Sequence, residues 1–124
     1  MSCRAKTLGS VGTIVDGRVR DLAEHRSQNY PVWSRDLGIT AGGEVCYSSE
    51  IGVPVPLRSP GQPDVWIHPG DILVADENGV ACIPRALEEQ VVELIPVLAA
   101  RDNRCMEDLL RGLSAEEVFK KHRT

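Results

Sequence analysis

The feature that most constrains the fold is a change of pattern at Pro84. Before it, short apolar runs are cut again and again by glycine, proline and Asx residues. After it, one helical pattern continues almost to the end of the chain. Short runs bounded by turn formers read as strands, whereas apolar residues recurring every three or four positions read as helix. Strands followed by helices, without strict alternation, predict an α+β fold. The 124 residues fit one domain, 1–124, with a modest core. Aromatic residues make up 4% of the chain, so aliphatic side chains must build most of that core.

Residues 4–8 look like the end of a helix stopped by Gly9 or Gly12. Residues 12–15 predict a buried strand, broken by Asp16-Gly17. A short helix over 21–28 has Asp21 near its N-terminus, and 31–34 reads as a strand. Residues 40–43 form a loop, and short strands are expected over 44–48, 53–57 and 65–67, with a loop over 58–64. His68-Pro69-Gly70-Asp71 is a tight turn. Strands over 72–75 and 80–83 flank the turn Asp76-Glu77-Asn78-Gly79, where Asn-Gly signals a hairpin. A helix follows over 85–110, with Leu87, Val91, Leu94 and Leu98 on one face and Pro96 as a possible kink. Ser114 and Glu117 form a capping box for a last helix closed by Lys120, Lys121 and Arg123.

Charge and cysteine usage exclude several classes. A net charge of −4 argues against nucleic-acid binding, which uses a basic face. It leaves room for a local basic pocket that takes an acidic metabolite. Cys3, Cys46, Cys82 and Cys105 have no C-x-x-C spacing, so zinc and dithiol motifs are absent. Cys46 and Cys82 lie in apolar stretches and read as buried thiols. The first ten residues lack the apolar core of a signal peptide, and no run is long enough to span a bilayer. The expectation is a cytoplasmic protein without a membrane partner.

The densest chemical cluster is Asp16-Gly17-Arg18-Val19-Arg20-Asp21, between a strand and a helix. Carboxylates can hold Mg²⁺ or Mn²⁺, and a guanidinium can grip a substrate carboxylate with two hydrogen bonds. A salt-bridged surface turn is the other reading, and composition alone leaves both open. Residues 68–71 and 76–79 offer further oxygen ligands but read as two tight turns around a strand. His68 has no spaced histidine partner, while His25 and His122 lie in charged helical patterns and read as solvated. Ser48 and Ser49 lack a nucleophile-elbow context, and no phosphate-binding glycine loop appears.

Ala5-Lys6, Gly9, the run from Gly12 to Asp21, and Tyr30-Pro31-Val32-Trp33-Ser34-Arg35 together resemble the centre of RraA-like aldolases. Val53-Pro54-Val55, Ile67-His68-Pro69-Gly70-Asp71, Ala75-Asp76-Glu77-Asn78-Gly79-Val80 and Ile83-Pro84 continue the resemblance in order. It implies a β/β/α swivelling-domain fold, a homotrimer and a divalent metal, Mg²⁺ or Mn²⁺. The implied reaction is cleavage of 4-hydroxy-4-methyl-2-oxoglutarate and related 4-hydroxy-2-oxo acids to pyruvate, with decarboxylation of oxaloacetate. By the same resemblance Arg20 is the catalytic residue that binds the 2-oxo acid, and Asp21 the catalytic residue that anchors the metal. The family pattern has a further aspartate and a glycine-containing loop ahead of Met1. The chain is therefore expected to correspond to the family's C-terminal half. Relatives named for binding and inhibiting a ribonuclease supply the alternatives, a non-catalytic regulator or an inactive subunit of a family trimer.

Overall fold

The computed structural model describes residues 1–58, 61 and 63–123. The observed order is α1 (Ser2–Thr7), β1 (Thr13–Val19), α2 (Leu22–Ser27), β2 (Val32–Leu37), β3 (Val55–Leu57), β4 (Val65–Ile67), β5 (Ile72–Asp76), β6 (Gly79–Ile83), α3 (Glu88–Leu110) and α4 (Ala115–His122). Short strands followed by helices give the expected α+β class. The contacts divide the chain into two compact units, Met1–Cys82 and Ile83–Thr124.

In the first unit, β1 and β2 pair in parallel, joined through α2. Parallel neighbours require a crossover connection, and α2 supplies it. Thr13 pairs with Val32, Ile14 with Trp33 and Val15 with Ser34. The register then shifts, so that Asp16 and Gly17 together face Arg35 before Arg18 meets Asp36 and Val19 meets Leu37. The strand expected to break at Asp16-Gly17 thus continues through them as a β-bulge. Such bulges bend a strand and re-aim the side chains beyond it.

Several contacts fix this unit. The Tyr30 ring is buried, and its hydroxyl lies 2.7 Å from both Ser10 Oγ and Thr13 Oγ1. His25 Nδ1 lies 3.0 Å from Ser2 Oγ, and Lys6 Nζ donates to the Gln28 carbonyl, so α1 is fastened to α2. His25 is therefore partnered and half-buried, not solvated as expected. Gly9, at φ +90°, ends the first helical turn region as the sequence suggested.

β3 and β4 are antiparallel, with Val55 opposite Ile67 and Leu57 opposite Val65. β5 and β6 pair around a tight turn in which Asp76 Oδ1 accepts from the Asn78 N–H at 2.7 Å. The Trp33 indole N–H donates to the Asp76 carbonyl at 2.9 Å, tying β2 to that hairpin. The strand expected over 44–48 is absent. A 3₁₀ turn, Gly42–Glu44, and irregular chain stand there, and Cys46 is exposed rather than buried. Of the loop expected over 58–64, Ser59, Pro60 and Gln62 lie outside the described residues.

In the second unit, α3 runs unbroken over 23 residues with Pro96 inside it. The α4 capping box forms as its sequence requires: the Glu117 N–H donates to Ser114 Oγ, and the Ser114 N–H donates to the Glu117 carboxylate. Val118 and Cys105 are its buried apolar side chains. Asp108 of α3 is also buried, and it accepts from Lys121 Nζ at 2.7 Å and lies 2.9 Å from His122 Nε2. His122 is thus an interior partner rather than the solvated residue its charged neighbourhood suggested. Among the described residues, no helix is long and apolar enough to cross a membrane.

Candidate functional site at the β1–α2 junction

Among the described residues two non-glycine positions have positive φ, Asp21 and Asn29. Asp21 is the N-cap of α2, yet it sits at φ 62°, ψ 38°, in the left-handed region. An N-cap residue ordinarily adopts extended angles and uses its side chain to accept from the first helical turn. Asp21 does neither, since its side chain makes no capping bond. Its carboxylate instead turns to Arg20, with Nε to Oδ2 at 3.2 Å, and both side chains remain about half exposed. Strained backbone of this kind persists where the surroundings over-determine it, and it is concentrated at functional sites.

The pair lines a cavity of about 370 Å³ with Val19, Leu22, Leu37, Gly38 and Ile39. The strand pairing builds this place. Val19 and Leu37 are the last registered pair of the sheet, and the Gly38 N–H donates to the Val19 carbonyl at 2.9 Å. The ends of β1 and β2 therefore close on each other just where Arg20 and Asp21 leave the sheet. Sequence reasoning placed Arg20 and Asp21 here and missed Leu37, Gly38 and Ile39. A glycine directly after a strand was the available signal, because it often marks close approach of another chain segment. A Cβ on Gly38 would lie 3.2 Å from Arg18 Cβ.

The rest of the Asp16-to-Asp21 cluster serves the fold. Asp16 accepts from the Arg35 guanidinium through one oxygen and from the Arg58 N–H through the other, at 3.2 Å. The Arg58 amide and then Arg35 hold its carboxyl below the usual carboxylate range. Arg35 also donates to the Arg58 carbonyl, so Asp16 ties β1 and β2 to the end of β3. Gly17 does not occupy left-handed space, contrary to what an Asp-Gly turn suggests; that conformation falls on Asp21.

The second acidic cluster is structural. Asp71 Oδ2 accepts from the His68 N–H at 2.8 Å, closing the expected tight turn, while the His68 ring stays largely exposed. Burial and the nearby Asp71 push the Cys82 thiol up, away from a reactive thiolate. The N–H of Asn78 holds the Asp76 carboxyl below its ordinary value as part of the hairpin turn.

Among the described residues, no three His, Cys, Asp or Glu side chains gather as a metal cage. Asp21 is a lone hard oxygen donor. Such a donor suits Mg²⁺ or Mn²⁺, which keep several waters and accept one or two carboxylates, better than a soft cation that wants nitrogen or sulfur.

The sequence profile of the RraA-like family, described as Aldolase/RraA, matches residues 1–82. This chain belongs to the RraA-like family. A protein of Halalkalibacterium halodurans, provisionally named a 4-hydroxy-4-methyl-2-oxoglutarate aldolase, is 37% identical over 89 residues, covering 72% of this chain and 40% of that protein. Protein DlpA of Legionella pneumophila is 32% identical over 108 residues, 87% of this chain and 17% of DlpA. The crystal structure of an uncharacterized protein from Pseudomonas syringae pv. tomato superposes with a TM-score of 0.86 at 26% identity, covering 98% of this chain and 55% of that one. The chain thus spans about half, or less, of the length of these relatives. Its α+β fold is RraA-like, as the sequence resemblance implied.

Proposed function

We propose that this chain carries the substrate and metal residues of a lyase that cleaves 4-hydroxy-2-oxo acids to pyruvate and decarboxylates oxaloacetate. The observation that carries the reading is the Arg20–Asp21 pair, held in contact on strained backbone at the mouth of a cavity. The RraA-like relative named as an aldolase supports it.

Arg20 binds the substrate. Its Nε faces Asp21, which leaves the two terminal nitrogens to hold a carboxylate as a planar fork. The contact with Asp21 restricts the guanidinium before substrate arrives, lowering the entropy lost on binding. Asp21 would hold Mg²⁺ or Mn²⁺ together with water. When bound, the cation supplies Lewis acidity toward the keto oxygen and carboxylate of the substrate. Cleavage of the C–C bond leaves an electron pair on the pyruvate fragment, and Arg20 places positive charge beside it.

The test is pyruvate release by the protein, with Mg²⁺ or Mn²⁺ added and the metal-only rate subtracted. Arg20→Lys keeps the charge and loses the fork. It is expected to cost about 2–4 kcal/mol of transition-state stabilisation, the scale of one lost oxyanion donor. Wild-type kinetics for Arg20→Lys, or unchanged metal affinity for Asp21→Ala, would overturn the assignment.

A second reading is favoured by the apolar strand residues left exposed, among them Trp66 at 55% and Val74 at 54%. A partner that covered them would suit a subunit of a family trimer or a protein-binding regulator. In that case Trp66→Glu would abolish association in sedimentation measurements while Arg20→Lys left it intact.

A further inference from the structure

Arg18 is a second cation at the edge of the cavity that Arg20 and Asp21 line. Its stem supports the end of the sheet. Arg18 stands opposite Asp36 in the parallel pairing, yet its Cβ, Cγ and Cδ lie beside Gly38, where an added Cβ would meet them at 3.2, 3.9 and 3.4 Å. The side chain therefore leans along β2 from its register partner toward the end of the sheet, where Gly38 lines the cavity with Arg20 and Asp21. Glycine at position 38 leaves the stem room for that course. Arg18 is exposed, and among the described residues its guanidinium has no hydrogen bond or ion pair. Asp36 does not take it, and has one carboxylate oxygen on the Leu37 N–H at 2.7 Å.

We propose, resting on the reading of Arg20 and Asp21 as the 2-oxo acid site, that Arg18 holds the second carboxylate of a dicarboxylic 2-oxo acid and so sets the selectivity of the site. Arg20 is faced by Asp21, and its remaining fork takes the carboxylate next to the keto group. The carboxylate at the far end of the substrate then needs a cation of its own. Arg18 lies two positions before Arg20, and two positions along an extended chain span about 7 Å. Two guanidiniums on flexible stems can close on one small diacid across that distance. The charges agree. Arg18 and Arg20 balance Asp21 and Asp36, so a bound divalent cation leaves two positive charges, which a dicarboxylate cancels and a monocarboxylate does not.

Calorimetry tests this with the whole protein in excess Mg²⁺. The ligands are 2-oxoglutarate and 2-oxopentanoate, which match in chain length and differ in a terminal carboxylate against a methyl group. 2-Oxoglutarate is expected to bind roughly three- to tenfold more tightly, the scale of one exposed charge-assisted contact. That advantage should shrink as salt rises. Arg18→Gln keeps the stem carbons over Gly38 and loses the charge. In it the affinity ratio should fall toward one while 2-oxopentanoate binds as before. Arg18→Lys restores a charge and should recover part of the preference. Steady-state kinetics with oxaloacetate should show the same split in Arg18→Gln, a raised KM with kcat retained. Far-UV circular dichroism checks that both variants fold. A wild type without the preference, a preference that survives Arg18→Gln, or equal weakening of both ligands in that variant refutes the role of Arg18 while the Arg20–Asp21 site stands. If neither ligand binds, both readings fall.

Discussion

The left-handed backbone at Asp21 gives a stability ordering that ordinary helix capping would not. The perturbation is a series, Asp21→Gly, Asp21→Asn and Asp21→Ala, in which every variant loses the carboxylate. An L residue in this region pays about 1–2 kcal/mol from its Cβ, and glycine pays almost nothing. At φ 62°, ψ 38°, the alanine variant should therefore be about 1–2 kcal/mol less stable than the glycine variant. Asparagine tolerates the region better than alanine but gains no capping bond where the native side chain makes none. The expected order is Gly, then Asn, then Ala. An ordinary N-cap would put asparagine above glycine. Replacing Asp21 by glycine also removes an exposed ion pair, worth at most about 1 kcal/mol, and a favourable charge at the helix N-terminus, worth about 0.3–1 kcal/mol. Those losses bring Asp21→Gly close to wild type and leave the order within the series unchanged. Urea unfolding followed by the fluorescence of Trp33 and Trp66, both in the first unit, reads the order directly. In a melt, each 1 kcal/mol corresponds to about 4 °C for a chain of this size. Alanine equal to glycine would refute the strain argument, and asparagine above glycine would show that capping governs the position.

Three further outcomes follow from the packing. Asp108 is held at about 2, first by the hydrogen bond from Lys121 and then by that from His122. A depressed carboxyl stabilises the fold above its unfolded value, near 3.8, and loses that contribution as pH falls through about 2. Acid titration of the helical circular dichroism should show this loss in wild type and a shallower acid limb in Asp108→Asn. Gly17→Val should be tolerated to within about 1 kcal/mol, by chemical denaturation. Gly17 is not left-handed, and a Cβ there meets only Val15 Cγ1, at 3.7 Å. Gly38→Ala should cost about 1 kcal/mol or more in the same assay, because its Cβ would press on Arg18 Cβ at 3.2 Å and neither atom is the free end of a side chain.

What the sequence made legible was what it encodes locally. The capping box at Ser114 and Glu117, the Asn-Gly turn and the order of strands before helices are all set by neighbours within a few residues. Arg20 and Asp21 are neighbours in the chain, so their contact likewise needs no distant partner. Features set by distant partners were not legible. Nothing near Asp16-Gly17 announces that Arg35 and Arg58 will arrive from other strands, so the dipeptide looked like a strand break when it is a bulge. His122 looked solvated because its neighbours are charged, yet Asp108, fourteen positions away, takes it into the interior. Cys46 looked buried because its neighbours are apolar, yet no strand forms there to carry it inward.

The two aspartates of the Asp16-to-Asp21 cluster stand in very different surroundings. They are the same residue type on one short segment, and composition gives no reason to separate them. Asp16 has both oxygens engaged by donors from elsewhere in the fold, and the Arg58 amide and then Arg35 hold its carboxyl below the usual carboxylate range. Removing it would loosen three strands at once. Asp21 has one exposed arginine beside its carboxylate, no side-chain bond to its own helix, and a left-handed backbone conformation. What its charge contributes to folding, glycine's freedom in that backbone region offsets. On the proposed reading the carboxylate at Asp21 serves a ligand, and the stability series above measures what its left-handed backbone costs.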